Sequence, residues 1–457
     1  MKNRALYIPL ITSIVSAFAL VILASPKTEI ETKPKEGAIR VLFLGHDSEH
    51  HNSNKYYPML AKGLGRDAIY FDYVTSVEEA LGDATFLGKF DALLLYANHG
   101  TITPNQWKNL KDYVEGGGGF VPVHCASWCF GNEPAFDQLV GGRFDSHKVG
   151  TFTSKVVDPQ HPAMEGVKEF EAWDETYKHK NHNEKDRQVL MVREVAGKDD
   201  NITEPEPWTW VRTQGKGRVF YTASGHDERV WKQPAFHQLL KAGILWSVGK
   251  ERKQSYEEFI AERAPLKYEK RGDIANYENR PEPLPYQFPL KAEDSMKYTQ
   301  APVGFRLELF ASEPDIINPI GLAWDERGRL WAAETVDYPN EMTPDRVGND
   351  KIKILEDTDG DGKCDKVTVF ADGLNIPTSL TFSRGGIIVA HVPDFLFLKD
   401  TDGDDKADVR EVLNTGWGTG DTHAGPSNLR YGFDNWIWGA VGYSSYSGTV
   451  GGEQKRF

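Results

Sequence analysis

Short apolar runs alternate with amphipathic segments along residues 38–250. The apolar runs have the length of buried strands: Ile39–Leu44, Ala68–Val74, Asp91–Tyr96, Phe120–Val123 and Arg218–Thr222. The amphipathic segments have helical spacing: Tyr56–Leu64, Pro104–Glu115, Pro134–Val140 and Pro234–Val248. Thr103 and Pro104 suit the N-cap and the first position of one helix. Because alternating strands and helices build parallel sheets covered on both faces, the pattern predicts an α/β domain with a doubly wound, mostly parallel sheet.

The pattern changes twice after this domain. Residues 251–301 are rich in charge and proline and predict an inter-domain linker with a helix at Ser255–Ala264. From residue 302 onward, pairs of apolar strands recur about every 50 residues, which is typical of propeller blades. The three pairs are Gly321–Glu334, Ser379–His391 and Asn428–Val441. About two and a half blades fit into 302–457, so we expect an incomplete all-β propeller that a longer chain or a partner completes.

The N-terminus predicts where the protein works. Lys2 and Arg4 precede an apolar run from Ala5 to Ala24, which suits either an export signal or a retained membrane anchor. We therefore assign residues 1–25 to the signal or anchor and 26–37 to a tether. The expected location is the periplasm, either free or anchored in the inner membrane through residues 5–24.

Composition excludes several classes of protein. The chain has 457 residues, and its 53 basic against 67 acidic residues give a net charge of −14, which argues against a nucleic-acid partner. A hydrophobic content of 39% argues against disorder. Three cysteines are too few for a disulfide scaffold, and the C-x-x-C-H motif of a c-type haem is absent.

Histidines follow four of the predicted strands: His46, His99, His124 and His226. Ligands of open parallel sheets bind at the carboxyl ends of the strands, so we expect these imidazoles to converge on one site. Carboxylates lie nearby in sequence, namely Asp47, Glu49, Asp174, Glu175 and Asp227. Imidazoles with carboxylates suit a divalent metal such as Zn²⁺. They equally suit acid–base chemistry without a metal, and spacing leaves both open.

The segment GFVPVHCASWCF runs from a strand into a tight turn, as in a nucleophile elbow. Cys125 is a candidate nucleophile that His124 or His226 would activate. The alternative is a buried thiol that only packs.

Residues Val41–Gly249 resemble the trehalose-utilisation (ThuA-like) family. The resemblance is carried by LLLYANHGTITPNQWKNLKDYVEGGGGFVPVHCAS, LVGGRFDSHKVG, DPQHPAMEGV, AWDETY and GKGRVFYTASGHDERVWKQPAFHQLLKAGILW. It implies the class I glutamine-amidotransferase-like fold and a role on a carbohydrate substrate such as a keto-sugar or glycoside. Those amidotransferases have Cys at the elbow in G-x-C-x-G, whereas His124 takes the elbow position here and the second Gly is missing, which argues against glutaminase chemistry. The family motifs imply site residues His124, His147, Asp174, Glu175 and His226.

Two Asp-rich loops interrupt the predicted propeller strands. Each has carboxylates at positions 1, 3, 5 and 9, a spacing that wraps Ca²⁺. The first loop supplies Asp357, Asp359, Asp361 and Asp365, and the second supplies Asp400, Asp402, Asp404 and Asp408, with Glu411 at position 12. Strands flank both loops, so they are hairpins and not EF-hands, and a plain Asp/Gly turn is the alternative.

Residues Pro302–Phe457 resemble the propeller of the "membrane-bound dehydrogenase" proteins of planctomycetes. That resemblance implies a cytochrome or dehydrogenase partner. The stretch THAGPSNLRYGFDNWIWGAVG is distantly similar to quinoprotein sugar dehydrogenases, which makes His423 a candidate base.

The sequence thus predicts an exported protein of carbohydrate metabolism. Its chemistry is acid–base catalysis by His124 and His226, with Asp174 and Glu175 orienting groups or binding metal. One alternative is a non-catalytic sugar-binding or scaffold module. Another is a quinone-dependent sugar dehydrogenase centred on the propeller.

Overall fold

The structure is a computed structural model that describes residues 37–198, 200–273, 276, 279–281, 284–339 and 342–457. The chain divides into two compact units, Met1–Glu262 and Arg263–Phe457. The predicted signal or anchor at 1–25 lies outside the described residues, as does most of the predicted tether. Among the helices of the described ranges, none has the length and apolar character that crossing a membrane requires.

The first unit is organised around one large sheet. Its strands are β1 (Ile39–Leu44), β2 (Ile69–Val74), β3 (Ala92–Leu95), β4 (Gly119–Pro122), β5 (Arg143–Ser146), β6 (Val149–Thr153), β7 (Lys155–Val156), β8 (Glu171–Glu175), β9 (Lys178–Lys180), β10 (Arg187–Arg193), β11 (Glu206–Gln214) and β12 (Gly217–Thr222). Eight of them form the sheet in the order β2-β1-β3-β4-β12-β11-β10-β7, while β5 pairs with β9 and β6 with β8.

The predicted α/β fold is confirmed, and the sheet is mixed, with five parallel strands followed by antiparallel ones. Strands β2, β1, β3, β4 and β12 run parallel, whereas β11, β10 and β7 extend the sheet antiparallel. The reversal begins at the short turn between β11 and β12, where Gly215 has φ 59°. A hairpin of this length leaves no room for the crossover helix that a parallel pair needs.

Helices cover both faces of the parallel part. They are α1 (Ser53–Gly65), α2 (Val77–Leu81), α3 (Ala84–Leu87), α4 (Pro104–Glu115), α5 (Pro134–Val140), α6 (Glu228–Trp231), α7 (Pro234–Ser247) and α8 (Lys250–Ala261), with 3₁₀ turns at His124–Trp128 and Pro162–Met164. The predicted start of α4 is confirmed. Thr103 Oγ1 accepts from the Gln106 amide, and Gln106 Oε1 accepts from the Thr103 amide, which forms a capping box.

Helix α8 lies in the first unit, although its sequence fell within the predicted linker. Arg252 donates to the Asp91 carboxylate at 3.0 Å and to the Ala38 carbonyl at 2.7 Å. Tyr256 donates to the Asp67 carbonyl at 2.6 Å. These bonds attach the helix to the start of the sheet, and the division between the units follows it at Glu262.

In its described residues, the second unit consists of small antiparallel sheets and one short helix, α9 (Ala292–Met296). Its strands are β13 (Tyr268–Glu269), β14 (Tyr286–Gln287), β15 (Pro319–Trp324), β16 (Leu330–Glu334), β17 (Asp350–Glu356), β18 (Lys366–Leu374), β19 (Ser379–Ser383), β20 (Gly386–His391), β21 (Asp394–Lys399), β22 (Val409–Thr415), β23 (Ser427–Tyr431), β24 (Ile437–Ala440), β25 (Ser447–Val450) and β26 (Glu453–Arg456). Strands β15–β18 and β19–β22 form two four-stranded meanders.

One apolar core joins these two meanders. Trp331, Ile352 and Phe370 of the first pack in the same cluster as Leu380 and Val389 of the second. The remaining pairs, β23–β24 and β25–β26, are separate two-stranded sheets. Within the described part of this unit the sheets form no closed ring, so the propeller stays a prediction.

Acid should destabilise the second unit through His391. This side chain is buried at the end of β20, its Nε2 accepts from the Asn375 amide at 3.0 Å, and burial lowers its pKa from 6.5 to about 4. Because the unfolded histidine takes up a proton first, stability present above pH 6.5 is lost as the pH falls toward 4. We expect a loss of up to about 3 kcal/mol in the free energy of unfolding.

The measurement is urea unfolding of the full chain at pH 7 and at pH 4.5. His391→Gln keeps an acceptor for the Asn375 amide but removes the titrating group, so its loss between the two pH values should be smaller. An equal loss in both proteins would contradict this account.

Candidate functional site

The candidate site lies where the strand order of the large sheet changes direction. Strand β1 sits between β2 and β3, which makes the carboxyl ends of β1 and β3 a topological switch point. His51 follows β1, His124 follows β4 and His226 follows β12. Strand β8, outside the large sheet, brings Glu175 to the same edge.

His124 occupies a strained turn directly after β4. It has φ 51°, a left-handed conformation that costs a non-glycine residue energy, and it starts the 3₁₀ turn. Its carbonyl accepts hydrogen bonds from Ser127 Oγ and Tyr221 Oη, both at 3.1 Å. The Tyr177 ring stacks on the imidazole with centroids 4.2 Å apart. The backbone is therefore held so that this side chain turns toward the carboxyl edge.

Glu175 is the centre around which the histidines gather. Its Oε2 lies 3.2 Å from His124 Nε2 and 3.5 Å from His51 Nε2. Its Oε1 lies 3.3 Å from His226 Nδ1 and 3.5 Å from His147 Nε2. Only 4% of Glu175 is exposed, so a buried carboxylate faces four imidazoles.

The electrostatics of the cluster differ from group to group. Burial disfavours the charged form of Glu175, but the neighbouring imidazoles of His124, His226 and His51 outweigh it and lower the pKa of this carboxyl. Burial lowers the pKa of His124 to about 4, and the bond to Glu175 only partly offsets it. For His226 burial acts in the same direction, yet Glu175 dominates and raises the pKa.

Asp174 supports the cluster from behind. Its carboxylate accepts from the amides of Gly225 at 3.0 Å, His226 at 3.1 Å and Glu175 at 2.9 Å. Burial raises the pKa of Asp174 to about 7, against the effect of these three donors. Its oxygens are occupied by backbone amides, so it positions the 225–226 turn and does not face the cluster.

The sequence-predicted residues fall into two groups. His124, His226 and Glu175 come together, and His147 joins them from the rim with 37% of its side chain exposed. His46 and His99 instead form hydrogen bonds with backbone carbonyls of the loop after β1. His46 Nε2 bonds to the His51 carbonyl and His99 Nε2 to the Gly45 carbonyl, each at 2.9 Å.

The remaining carboxylates lie outside the cluster. Asp47 and Glu49 are exposed and accept from Asn54 and Asn52. Asp227 caps α6 and pairs with Arg229.

Sequence reasoning missed His51. It is 5% exposed, and its φ of 54° turns the side chain toward Glu175. The available signal was the run HDSEHH just after β1, which puts three imidazoles within reach of the sheet edge. The spacing could not say which of the three points inward.

Four ligand atoms in this cluster lie within metal-binding distance of one another. One atom each from His51, His124, His226 and Glu175 falls within 4.8 Å of all the others. A cation or a proton can occupy the space between them.

Cys125 is not one of the four side chains of this cluster. The side chain is completely buried, and burial raises the pKa of its thiol well above the ordinary range. Cys129 is also a buried free thiol, and it donates to the Ala97 carbonyl. A protonated thiol is a poor nucleophile, so the geometry disfavours a catalytic role for Cys125.

The two Asp-rich loops connect β17 to β18 and β21 to β22. Carboxylate oxygens of Asp357, Asp359 and Asp361 lie within 4.8 Å of one another, as do those of Asp400, Asp402 and Asp404. Asp365 and Asp408 accept from Thr358 and Thr401 instead. Glu411 lies on β22.

Position 6 of the second loop departs from the expected glycine for a structural reason. Asp405 has φ 63°, as Gly362 of the first loop has φ 87°. Its carboxylate accepts from Arg329 Nη1 at 2.9 Å, and Arg329 also donates to Asp325 at 2.7 Å. The ion pair connects the loop to the turn between β15 and β16.

His423, the candidate base of the second unit, is 61% exposed on its side chain. Its Nδ1 lies 3.1 Å from Asp421 Oδ1, and Tyr443 Oη donates to the other oxygen of Asp421. The carboxylate therefore orients the imidazole at the surface.

Comparison with known proteins finds a family match within each unit. Residues 40–247 match the family described as "Trehalose utilisation" (ThuA), and residues 291–457 match a domain of unknown function, DUF7133. A putative ThuA-like protein from Bacteroides uniformis is 20% identical, with a TM-score of 0.39 over 47% of this chain and 93% of that chain. One from Parabacteroides merdae is 19% identical, with a TM-score of 0.41 over 46% and 90%. No curated protein matches the chain.

The burial of the thiols predicts their reactivity. In the native protein we expect iodoacetamide at pH 8 to modify Cys364, which is partly exposed, well before Cys125 or Cys129. The physical reason is the raised pKa of the two buried thiols, which reaches about 12 for Cys129. Mass spectrometry of native and urea-unfolded samples measures the order, and modification of all 3 cysteines is the control in urea. Preferential labelling of native Cys125 would restore it as a candidate nucleophile.

Proposed function

Because residues 40–247 form a ThuA-like domain, we propose that the first unit is an enzyme of carbohydrate metabolism acting on keto-sugars or glycosides. The observation that carries this proposal is the cluster of four imidazoles around buried Glu175 at the switch point of the sheet. Ligands of doubly wound sheets bind at this edge. Buried charge beside imidazoles is typical of catalytic sites.

The chemistry that we propose is proton transfer to and from the sugar. A carbonyl group in a sugar acidifies the neighbouring C–H bond, and loss of that proton makes departure of a β-substituent feasible. His226 and His147 are the exposed members of the cluster, with 18% and 37% of their side chains accessible. A substrate therefore approaches from their side, with His124 and Glu175 beneath.

Two alternatives remain distinct in experiment. A non-catalytic sugar-binding or scaffold module would bind the same sugars without turnover. A quinone-dependent sugar dehydrogenase centred on His423 would reduce a dye after reconstitution with quinone, and the His423–Asp421 contact is what favours testing it. We retain export, through residues 1–25, as part of the proposal for either case.

Removal of the central imidazoles should abolish turnover. We expect His124→Ala combined with His226→Ala to lower kcat/KM on trehalose-derived keto-sugars or on glycosides by at least about 100-fold, as for loss of acid–base groups. The readout is product formation across a panel of such sugars. His182→Ala, at an exposed histidine outside the cluster, is the matched control. Activity that survives the double substitution would refute the assignment.

For the second unit, we propose a section of a propeller whose two Asp-rich loops bind Ca²⁺. The support is that three carboxylates converge in each loop, and that each loop connects two strands of a four-stranded meander. Ca²⁺ prefers such oxygen ligands, and repulsion among the aspartates is relieved when it binds. A cytochrome or dehydrogenase partner is part of the same proposal.

Calcium should raise the stability of this unit. We expect millimolar Ca²⁺ to increase the thermal midpoint of the EGTA-treated chain, because a ligand that binds only the folded state stabilises it. Asp359→Asn with Asp402→Asn should abolish the increase. Asp372→Asn, an exposed aspartate on β18 outside the loops, should keep it. An unchanged midpoint on adding Ca²⁺ would contradict the proposal.

A further inference from the structure

We propose that His51 Nε2, His124 Nε2, His226 Nδ1 and one oxygen of Glu175 bind a single divalent transition-metal ion, of which Zn²⁺ is the test case. The inference gives the site of the proposed function a cofactor. The evidence for the metal ion is the geometry of the four side chains. The proposed function enters only in the nature of the substrate.

The spacing of the four atoms suits such an ion. Bonds of about 2.0–2.2 Å in a tetrahedral site separate neighbouring ligand atoms by about 3.3–3.5 Å. The carboxylate oxygens of Glu175 lie 3.2 Å from His124, 3.3 Å from His226 and 3.5 Å from His51. All four ligand atoms fall within 4.8 Å of one another. Small side-chain rotations therefore suffice to close the set around one ion.

Hydrogen bonds on the far side of the rings direct lone pairs inward. His124 Nδ1 lies 2.6 Å from the Ala223 carbonyl, which can only accept, so Nδ1 carries the proton. His51 Nδ1 lies 2.9 Å from Asn98 Oδ1, which fixes the same tautomer. In both neutral rings the Nε2 lone pair then faces the Glu175 carboxylate. Two lone pairs aimed at an anion are repulsive unless a cation lies between them. Outer partners that fix the tautomer in this way are the usual companions of metal-binding histidines.

Two of the proposed ligand nitrogens have no hydrogen-bond partner among the described residues. They are His51 Nε2 and His226 Nδ1, and both atoms are buried. An unsatisfied buried polar atom costs about 1–3 kcal/mol, and a metal ion would satisfy both. His51 and His124 also have left-handed backbones, with φ 54° and 51°, and such strain concentrates at functional sites.

The donor set restricts the kind of ion. Three imidazole nitrogens and one carboxylate oxygen suit Zn²⁺ and its neighbours in the first transition row, and they do not suit Ca²⁺ or Mg²⁺, which prefer oxygen. His124 and His226 would then hold the ion, and the ion would supply Lewis-acid polarisation of a sugar oxygen. His147, on the exposed side of the cluster, is then the imidazole left to exchange a proton with a sugar.

The test is a metal titration of the full chain. Protein stripped with chelator and dialysed against excess Ca²⁺, which occupies the Asp-rich loops, receives ZnCl₂. Bound metal is measured by plasma mass spectrometry and by calorimetry. We expect about one tightly bound Zn²⁺ per chain and a higher thermal midpoint. Glu175→Gln, which keeps the shape of the side chain, and His51→Ala should each bind less than about a tenth as much.

His147→Ala is the matched control, because His147 also faces Glu175 at 3.5 Å but lies outside the four ligands. It should bind Zn²⁺ like the wild type. Absence of tight Zn²⁺ binding by the wild type, or full binding by Glu175→Gln, would overturn the inference. Should His51→Ala fail to fold, the Glu175→Gln titration alone decides.

The metal site and the proposed function fail in different ways. One bound Zn²⁺ without turnover of any keto-sugar or glycoside supports the metal site and contradicts the carbohydrate chemistry. Turnover by a chain that binds no Zn²⁺ overturns the metal site and leaves that chemistry standing.

Discussion

The arrangement of the candidate site in the first unit depends on the buried carboxylate of Glu175. A carboxylate removed from water costs several kcal/mol unless opposite charge or hydrogen-bond donors surround it. Here β8 carries Glu175, and the surrounding imidazoles come from loops after three strands of the large sheet and, at His147, from the turn between β5 and β6. The neighbouring Asp174 binds the amides of the 225–226 turn. One dipeptide thus carries the central charge and holds the turn that presents His226 to it.

A second layer of buried polar groups stabilises the strained turn at His124. Glu206 bonds to His179 Nδ1 at 2.8 Å, His179 Nε2 lies 3.0 Å from Tyr221 Oη, and Tyr221 Oη donates to the His124 carbonyl. A chain of satisfied bonds of this kind fixes a backbone conformation that the turn alone would not keep. Substitution of Glu206, His179 or Tyr221 would therefore disturb the backbone of His124 and leave its ring intact. Such a variant tests how His124 is positioned separately from what its imidazole does.

The sequence predicted local features better than those that depend on contacts between distant residues. The start of α4 was predictable because its capping box needs only Thr103, Pro104 and Gln106, three near neighbours. The antiparallel strands of the sheet were not predicted, because the hairpin between β11 and β12 sets the strand direction. An apolar run alone does not show in which direction a strand will pair. Helix α8 was placed in a linker because its contact with Asp91 joins residues 161 positions apart. For the site, strand ends predicted His124 and His226, yet His46 and His99 satisfy the same rule and bind backbone carbonyls instead.

The side chain that faces the carboxyl edge at the elbow limits the chemistry that is available there. Successive residues leave a strand on opposite sides, so of the adjacent pair His124 and Cys125 only one can face the carboxyl edge. The imidazole of His124 reaches Glu175 from this turn, whereas the thiol of Cys125 is completely buried and burial raises its pKa. The resemblance of the sequence to class I glutamine amidotransferases would imply a cysteine at this elbow. An imidazole there cannot form the thioester that glutamine hydrolysis requires, but it can donate a nitrogen lone pair to a shared centre. The proposal therefore gives this position a ligand or a proton carrier in place of a nucleophile, beside Glu175 and the neighbouring imidazoles.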